Sequence, residues 1–178
     1  TAGNVYGYTR VDINGCYVVR SVFGGGNLGS VGKGNYIGHG ENATDSDYLA
    51  AADSSGRTYV NINGGQLGML DATDPSKVFK DNIPYGSVFG GCRGMALASL
   101  NPDEHHYGFV NNTYVTIGNA VGNNGAPLIL GSVYGGAQDG HVRHKTKVVV
   151  NDGVIGVAYV NPDSALAVMG NANLDTIY

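Results

Sequence analysis

A chain of 178 residues is long enough to bury one substantial core. Glycine is abundant at 30 residues and charged residues make up only 13 %, yet a hydrophobic fraction of 42 % and 12 tyrosines exclude a disordered segment, so the glycines belong to recurrent turns in ordered structure. The formal net charge of −4 provides no basic field for nucleic acid, and no apolar run approaches the roughly 18 residues of a membrane span.

The chain opens Thr1-Ala2-Gly3-Asn4, with no initiator Met and no signal-peptide pattern, the start expected of a processed product or an excised segment. Asn4-Val5-Tyr6-Gly7 reads as a short copy of a motif that returns as Ser21-Val22-Phe23-Gly24-Gly25, Ser87-Val88-Phe89-Gly90-Gly91 and Ser132-Val133-Tyr134-Gly135-Gly136. Between these copies runs a second motif, Thr-x-Val-x-Ile. It is found as Thr9-Arg10-Val11-Asp12-Ile13, Thr58-Tyr59-Val60-Asn61-Ile62, Thr113-Tyr114-Val115-Thr116-Ile117 and, with Val for Ile, Thr146-Lys147-Val148-Val149-Val150. Its alternation predicts short strands with Val and Ile on one side and Arg10 or Asp12 on the other. Each ends at Gly or Asn, residues that tolerate a left-handed turn.

Such a strand cannot bury its face alone, whereas an identical neighbour about 4.8 Å away pairs its backbone and extends its apolar row. The predicted fold is therefore all-β: a parallel β-helix (β-solenoid), taken as right-handed, with irregular corner-loop insertions. One domain spans 1–178, read as a segment of a longer repeat protein. Val5 to Val22, 17 residues, suggests a minimal coil, and the longer later intervals place insertions at about 26–57, 68–86, 92–112 and 120–131. Allowing for degenerate copies such as Gly29-Ser30-Val31, this predicts five to eight coils. Residues 48–53 and 95–100 each have the composition for one helical turn. The aromatic position, Tyr6, Phe23, Phe89 and Tyr134, predicts a stacked ladder at a corner, with the ring edge near solvent because Phe and Tyr exchange there.

The phrases Ser-Val-Phe-Gly-Gly-Gly-Asn (21–27), Tyr-Val-Asn-Ile-Asn-Gly-Gly-Gln-Leu-Gly (59–68) and Gly-Ser-Val-Tyr-Gly-Gly (131–136) resemble the glycine-rich β-helical repeats of adhesin-like surface proteins from Bacteroidetes gut bacteria. The resemblance covers most of the chain through repeats, not through a catalytic signature. It implies export, an extracellular or bacterial cell-surface setting and a structural or adhesive role, and it carries over no functional residue.

Other chemistry is weakly signalled. Gly24-Gly25-Gly26-Asn27-Leu28-Gly29 matches a dinucleotide fingerprint, but the helix that must follow it is missing, so no cofactor is expected. His105, His106, His141 and His144 lack the three or four converging ligands of a metal site, and the loop acids Asp45, Asp47, Asp71 and Asp74 read as solvated. A polysaccharide lyase or glycosidase is the enzymatic alternative. Its only nominees are Asp12, Asp139, Arg143, Lys145 and Asp152, with no paired-acid motif, and Asp12 aligns with Asn61, Thr116 and Val149. Cys16 and Cys92 read as free thiols filling a narrow interior.

The sequence thus predicts a non-enzymatic structural or adhesive segment. Its partners are further coils of the same chain or identical subunits end to end, as in a filament, with glycans or host surface proteins as ligands and no nucleic acid. Loop aromatics Tyr36, Tyr48, Tyr85 and Tyr107 are the predicted recognition residues.

Overall fold

A computed structural model of the chain describes residues 3–32, 55–68, 86–94, 108–118 and 125–156. Tyr36, Tyr48, Tyr85, Tyr107, His105, His106, the acids at 45, 47, 71 and 74, and the two predicted helical turns lie outside these residues.

Within the described residues the protein is all β, with no helix. The strands are β1 (Tyr8–Val18), β2 (Val22–Phe23), β3 (Arg57–Leu67), β4 (Val88–Phe89), β5 (Phe109–Ile117), β6 (Leu128–Ile129), β7 (Val133–Tyr134), β8 (His141–Val150) and β9 (Val154–Ile155). Every pairing is parallel. The first half of β3 lies between β1 and β5, and β8 pairs with the far side of β5. The second half of β3 continues the sheet through β6 to β9. A separate three-stranded sheet runs β2-β4-β7.

The register stacks like on like. Thr9 meets Thr58, Thr113 and Thr146 in turn, Val11 meets Val60, Val115 and Val148, and Ile13 meets Ile62, Ile117 and Val150. These β-branched positions point inward, while Tyr59, Asn61, Tyr114 and Thr116 alternate outward, as a pleated strand requires. Leu67 and Ile129 from the second ladder and Val22, Val88 and Val133 from the three-stranded sheet close on the same apolar cluster. The two sheets therefore curl around one core. A smaller cluster forms beside it from Val31, Val110 and Cys92.

The chain turns sharply after each Thr-x-Val-x-Ile run, where Gly65 adopts a φ of 91° and a Cβ would lie 2.9 Å from the Cys16 amide nitrogen. A side chain is excluded there on both counts.

One predicted repeat is misaligned. Val5 pairs with Val31, not with a Ser-Val-aromatic copy, and Val31 in turn pairs with Val110. The Val5 amide donates to the Ser30 carbonyl and the Gly32 amide to the Val5 carbonyl, at 2.9 and 2.8 Å. Val5 therefore opens the approach to the Thr-x-Val-x-Ile strand, and the chain returns onto itself after 26 residues, not 17. A Val-aromatic-Gly triplet suits any short strand entering a glycine corner, so three residues could not distinguish the two ladders. Residues 26–32, assigned from sequence to an insertion, belong to this circuit: Asn27 pairs with Arg93 and Arg93 with Gln138. Among the described residues the Thr-x-Val-x-Ile ladder is four strands deep and the Ser-Val-aromatic ladder three.

Candidate functional site

The two motifs meet across the core. Thr9 Oγ1 donates to the Gly24 carbonyl, Thr58 Oγ1 to the Gly90 carbonyl at 2.5 Å, and Thr113 Oγ1 to the Gly135 carbonyl. The amides of Gly24 and Gly90 instead join the ladder, bonding to the Phe89 and Tyr134 carbonyls at 2.9 Å. At this corner the glycine carbonyl turns inward, and a buried carbonyl needs a donor. Threonine supplies it with a hydroxyl while its methyl packs like that of a valine. Glycine is required opposite, because a Cβ on Gly90 would lie 2.5 Å from the Gly135 carbonyl oxygen and 2.9 Å from Thr113 Cβ. Thr9, Thr58 and Thr113 thus form an internal clasp.

The first residue of the Ser-Val-aromatic motif is also structural. Ser21 Oγ accepts from the Ser87 amide at 3.3 Å, and Ser87 Oγ from the Ser132 amide at 3.0 Å. The predicted aromatic ladder is present: Phe23 stacks on Phe89 at 4.9 Å and Phe89 on Tyr134 at 4.8 Å, with interplanar angles of 5° and 8°. Phe23 and Tyr134 stay half-buried, which leaves room for the Tyr hydroxyl. Tyr6, 67 % exposed, belongs to the other ladder. Val22, Gly24, Gly25, Val88, Gly90, Gly91, Val133, Gly135 and Gly136 thus build the corner.

The layers are unequal. Val60, Ile62, Val115 and Ile117 are at most 1 % exposed, but their counterparts at the top of the stack, Val148 and Val150, are 37 % and 48 % exposed, and Val154 is 44 % exposed. At the opposite end Val11 and Ile13 are only half-buried and Val5 is exposed. Among the described residues, both faces of the stack therefore present core-type side chains on strands paired on one side only.

The outer face of the long sheet has a second pattern. Its residues form two parallel columns across the strands, Tyr8–Arg57–Asn112–Lys145 and Arg10–Tyr59–Tyr114–Lys147. Tyr59 stacks on Tyr114 at 5.1 Å, and Tyr8 meets Tyr59 edge to face at 6.2 Å. A third column begins Asp12–Asn61–Thr116–Val149, in the alignment expected from sequence. Arg10 Nε donates to Asp12 Oδ2 at 2.7 Å, and Asn61 Nδ2 donates to Asp12 Oδ1 at 2.7 Å. The hydrogen bond from Arg10, with that from Asn61 next, holds the Asp12 carboxyl below its ordinary range. Asn63 Nδ2 donates to Asn14 Oδ1 at 2.7 Å one step along.

The other acids nominated from sequence are turn residues. Asp152 Oδ1 accepts from the Gly153 amide at 2.8 Å, and Asp139 takes a φ of 51° just before β8. Arg143 lies over the Phe109 ring, 3.9 Å from its centroid, and His141 and His144 sit on β8 itself. Among the described residues no three His, Cys, Asp or Glu side chains converge on a metal-sized site, and no helix is long and apolar enough to cross a membrane. Both cysteines are free thiols. Cys92 fills the interior and Cys16 is exposed, so the sequence expectation of two interior thiols is corrected for Cys16. Cys16 follows Gly15 on an end layer, where no further layer of described chain covers it. Burial pushes the Cys92 thiol up to about 11.

The outer-face tyrosine cluster of Tyr8, Tyr59 and Tyr114 is not among the aromatics singled out from the sequence. Their signal was in the sequence, at the second position of the Thr-x-Val-x-Ile copies and one residue before the first. The chain matches no protein-family model, no curated protein and no solved structure.

Proposed function

We propose that this chain is a structural or adhesive segment of an extracellular or bacterial cell-surface repeat protein, folded as a parallel β-helix that is extended at its ends by further coils of the same chain or by identical subunits. The contrast between inner and end layers carries the reading. Val and Ile positions that are at most 1 % exposed in the middle are 37–48 % exposed on β8, and burying them needs one more strand of the same pattern. The like-on-like register favours such growth, since β1 and β8 present the same Thr-x-Val-x-Ile/Val row. The β-helix itself is supported by the 26-residue circuit from Val5 to Val31 and by threonine clasps joining the two sheets in three successive layers. The resemblance of the repeats to adhesin-like surface proteins supports the setting, and glycans or host surface proteins are the ligands proposed for it.

Sedimentation velocity across a concentration series, with negative-stain imaging of the same samples, tests the end-to-end part. The expected result is concentration-dependent association into unbranched rods, abolished by Val148→Asp with Val150→Asp. A strictly monomeric protein at the highest concentration would end this reading.

A further inference from the structure

The outer face of the long sheet concentrates positive charge in a chain that is acidic as a whole. Of the ten Lys and Arg residues in the sequence, four (Arg10, Arg57, Lys145 and Lys147) fall in the two neighbouring columns of that face, where the register sets them beside the tyrosines. The adjoining column contributes one carboxylate, Asp12, and Arg10 already holds it. Lys145, Lys147 and Arg57 have no ion-pair partner among the described residues, and both lysines are exposed. Opposed strands usually intersperse charges of both signs, because like charges on one face repel. A face with cations at both ends and tyrosines between them is built for something anionic that lies across the strands.

We propose that this face binds an acidic polysaccharide, with its carboxylate or sulfate groups at Arg57, Lys145 and Lys147 and its hydroxyls along the Tyr59–Tyr114 pair. The span from Arg57 to Lys147 crosses two strand spacings, about 10 Å, so the ligand is an extended chain and not a single ion. Stacked as they are, Tyr59 and Tyr114 turn one ring face each to the other and offer their edges and phenolic hydroxyls, which pair with sugar hydroxyls. A single-stranded nucleic acid is the competing polyanion. It binds through bases stacked on open aromatic faces, whereas one face of Tyr59 and one of Tyr114 are taken by their mutual stack and Tyr8 packs edge to face with Tyr59. The site rests on the adhesive reading above and names its ligand class, but it uses the sheet face and not the end layers.

The test is affinity electrophoresis and calorimetry of the full chain with polygalacturonate and with chondroitin sulfate. Neutral dextran and a single-stranded oligonucleotide serve as comparators. Binding to one or both acidic polysaccharides, weakened by raising salt, is expected. Lys145→Gln with Lys147→Gln, and separately Tyr59→Ser with Tyr114→Ser, should each weaken it by about tenfold or more, the equivalent of one lost charge-assisted hydrogen bond. Equal affinity for dextran, tighter binding to the oligonucleotide, or full affinity in both double variants would each overturn the proposal. Tyr59 and Tyr114 lie in the inner layers, so their variant should sediment as the parent does. Loss of polysaccharide binding with unchanged association separates this site from end-to-end growth, and binding by a strictly monomeric protein would leave the site standing without it.

Discussion

Replacing Thr58 by valine isolates the hydroxyl clasp between the two repeat motifs. Thr58 is fully buried, and its hydroxyl is 2.5 Å from the Gly90 carbonyl oxygen. Valine keeps the branched shape but puts a methyl group against that oxygen and leaves it without a donor. An unsatisfied buried carbonyl costs about 1–3 kcal/mol. Thr58→Ser keeps the donor and removes one methyl, worth about 0.8 kcal/mol. The expected order of stability is therefore parent, then Thr58→Ser, then Thr58→Val. In urea unfolding followed by circular dichroism, a loss of about 2 kcal/mol at a slope of about 2 kcal/mol/M moves the midpoint down by about 1 M. Thr9→Val should move it less, because Thr9 is only half-buried and its bond to the Gly24 carbonyl is only partly shielded from water. If Thr58→Val matched the parent, or if Thr58→Ser were the more damaging change, the threonine would be acting through packing and the clasp would be refuted.

Two further outcomes follow from the same layers. Gly90→Ala introduces a Cβ 2.5 Å from a backbone oxygen and 2.9 Å from Thr113 Cβ, so it should destabilise by about 1–3 kcal/mol in the same urea assay, while Gly136→Ala, whose Cβ would meet nothing within 4 Å, should change little. Cys92, buried with its thiol pushed up to about 11, should resist alkylation in the native protein while exposed Cys16 reacts, as mass spectrometry of the labelled chain will read. The folded state retains the Cys92 proton where the unfolded thiol has lost it. Its contribution to stability is therefore full below the ordinary thiol range and declines as pH rises through that range toward about 11, and Cys92→Ala should remove this part of the alkaline loss.

What the sequence determined by itself was the ladder content. Alternating Thr, Val and Ile closed by Gly or Asn admit short parallel strands stacked like on like, and the observed register Val11–Val60–Val115–Val148 is the alignment of the motif copies. The Phe23–Phe89–Tyr134 stack was legible for the same reason, since a repeated aromatic in a parallel ladder faces its own copy. Only the tertiary structure decided which short segment joins which ladder. Val5 resembles Val22 over three residues but pairs with Val31, because pairing depends on where the chain returns in space and not on local likeness. It also decided why threonine and glycine recur together, through a hydrogen bond across the core between residues 15 to 32 positions apart. The same holds for the outer face. Arg10, Tyr59, Tyr114 and Lys147 are scattered over more than half of the chain, and become one column only when parallel strands bring equivalent positions of successive layers side by side.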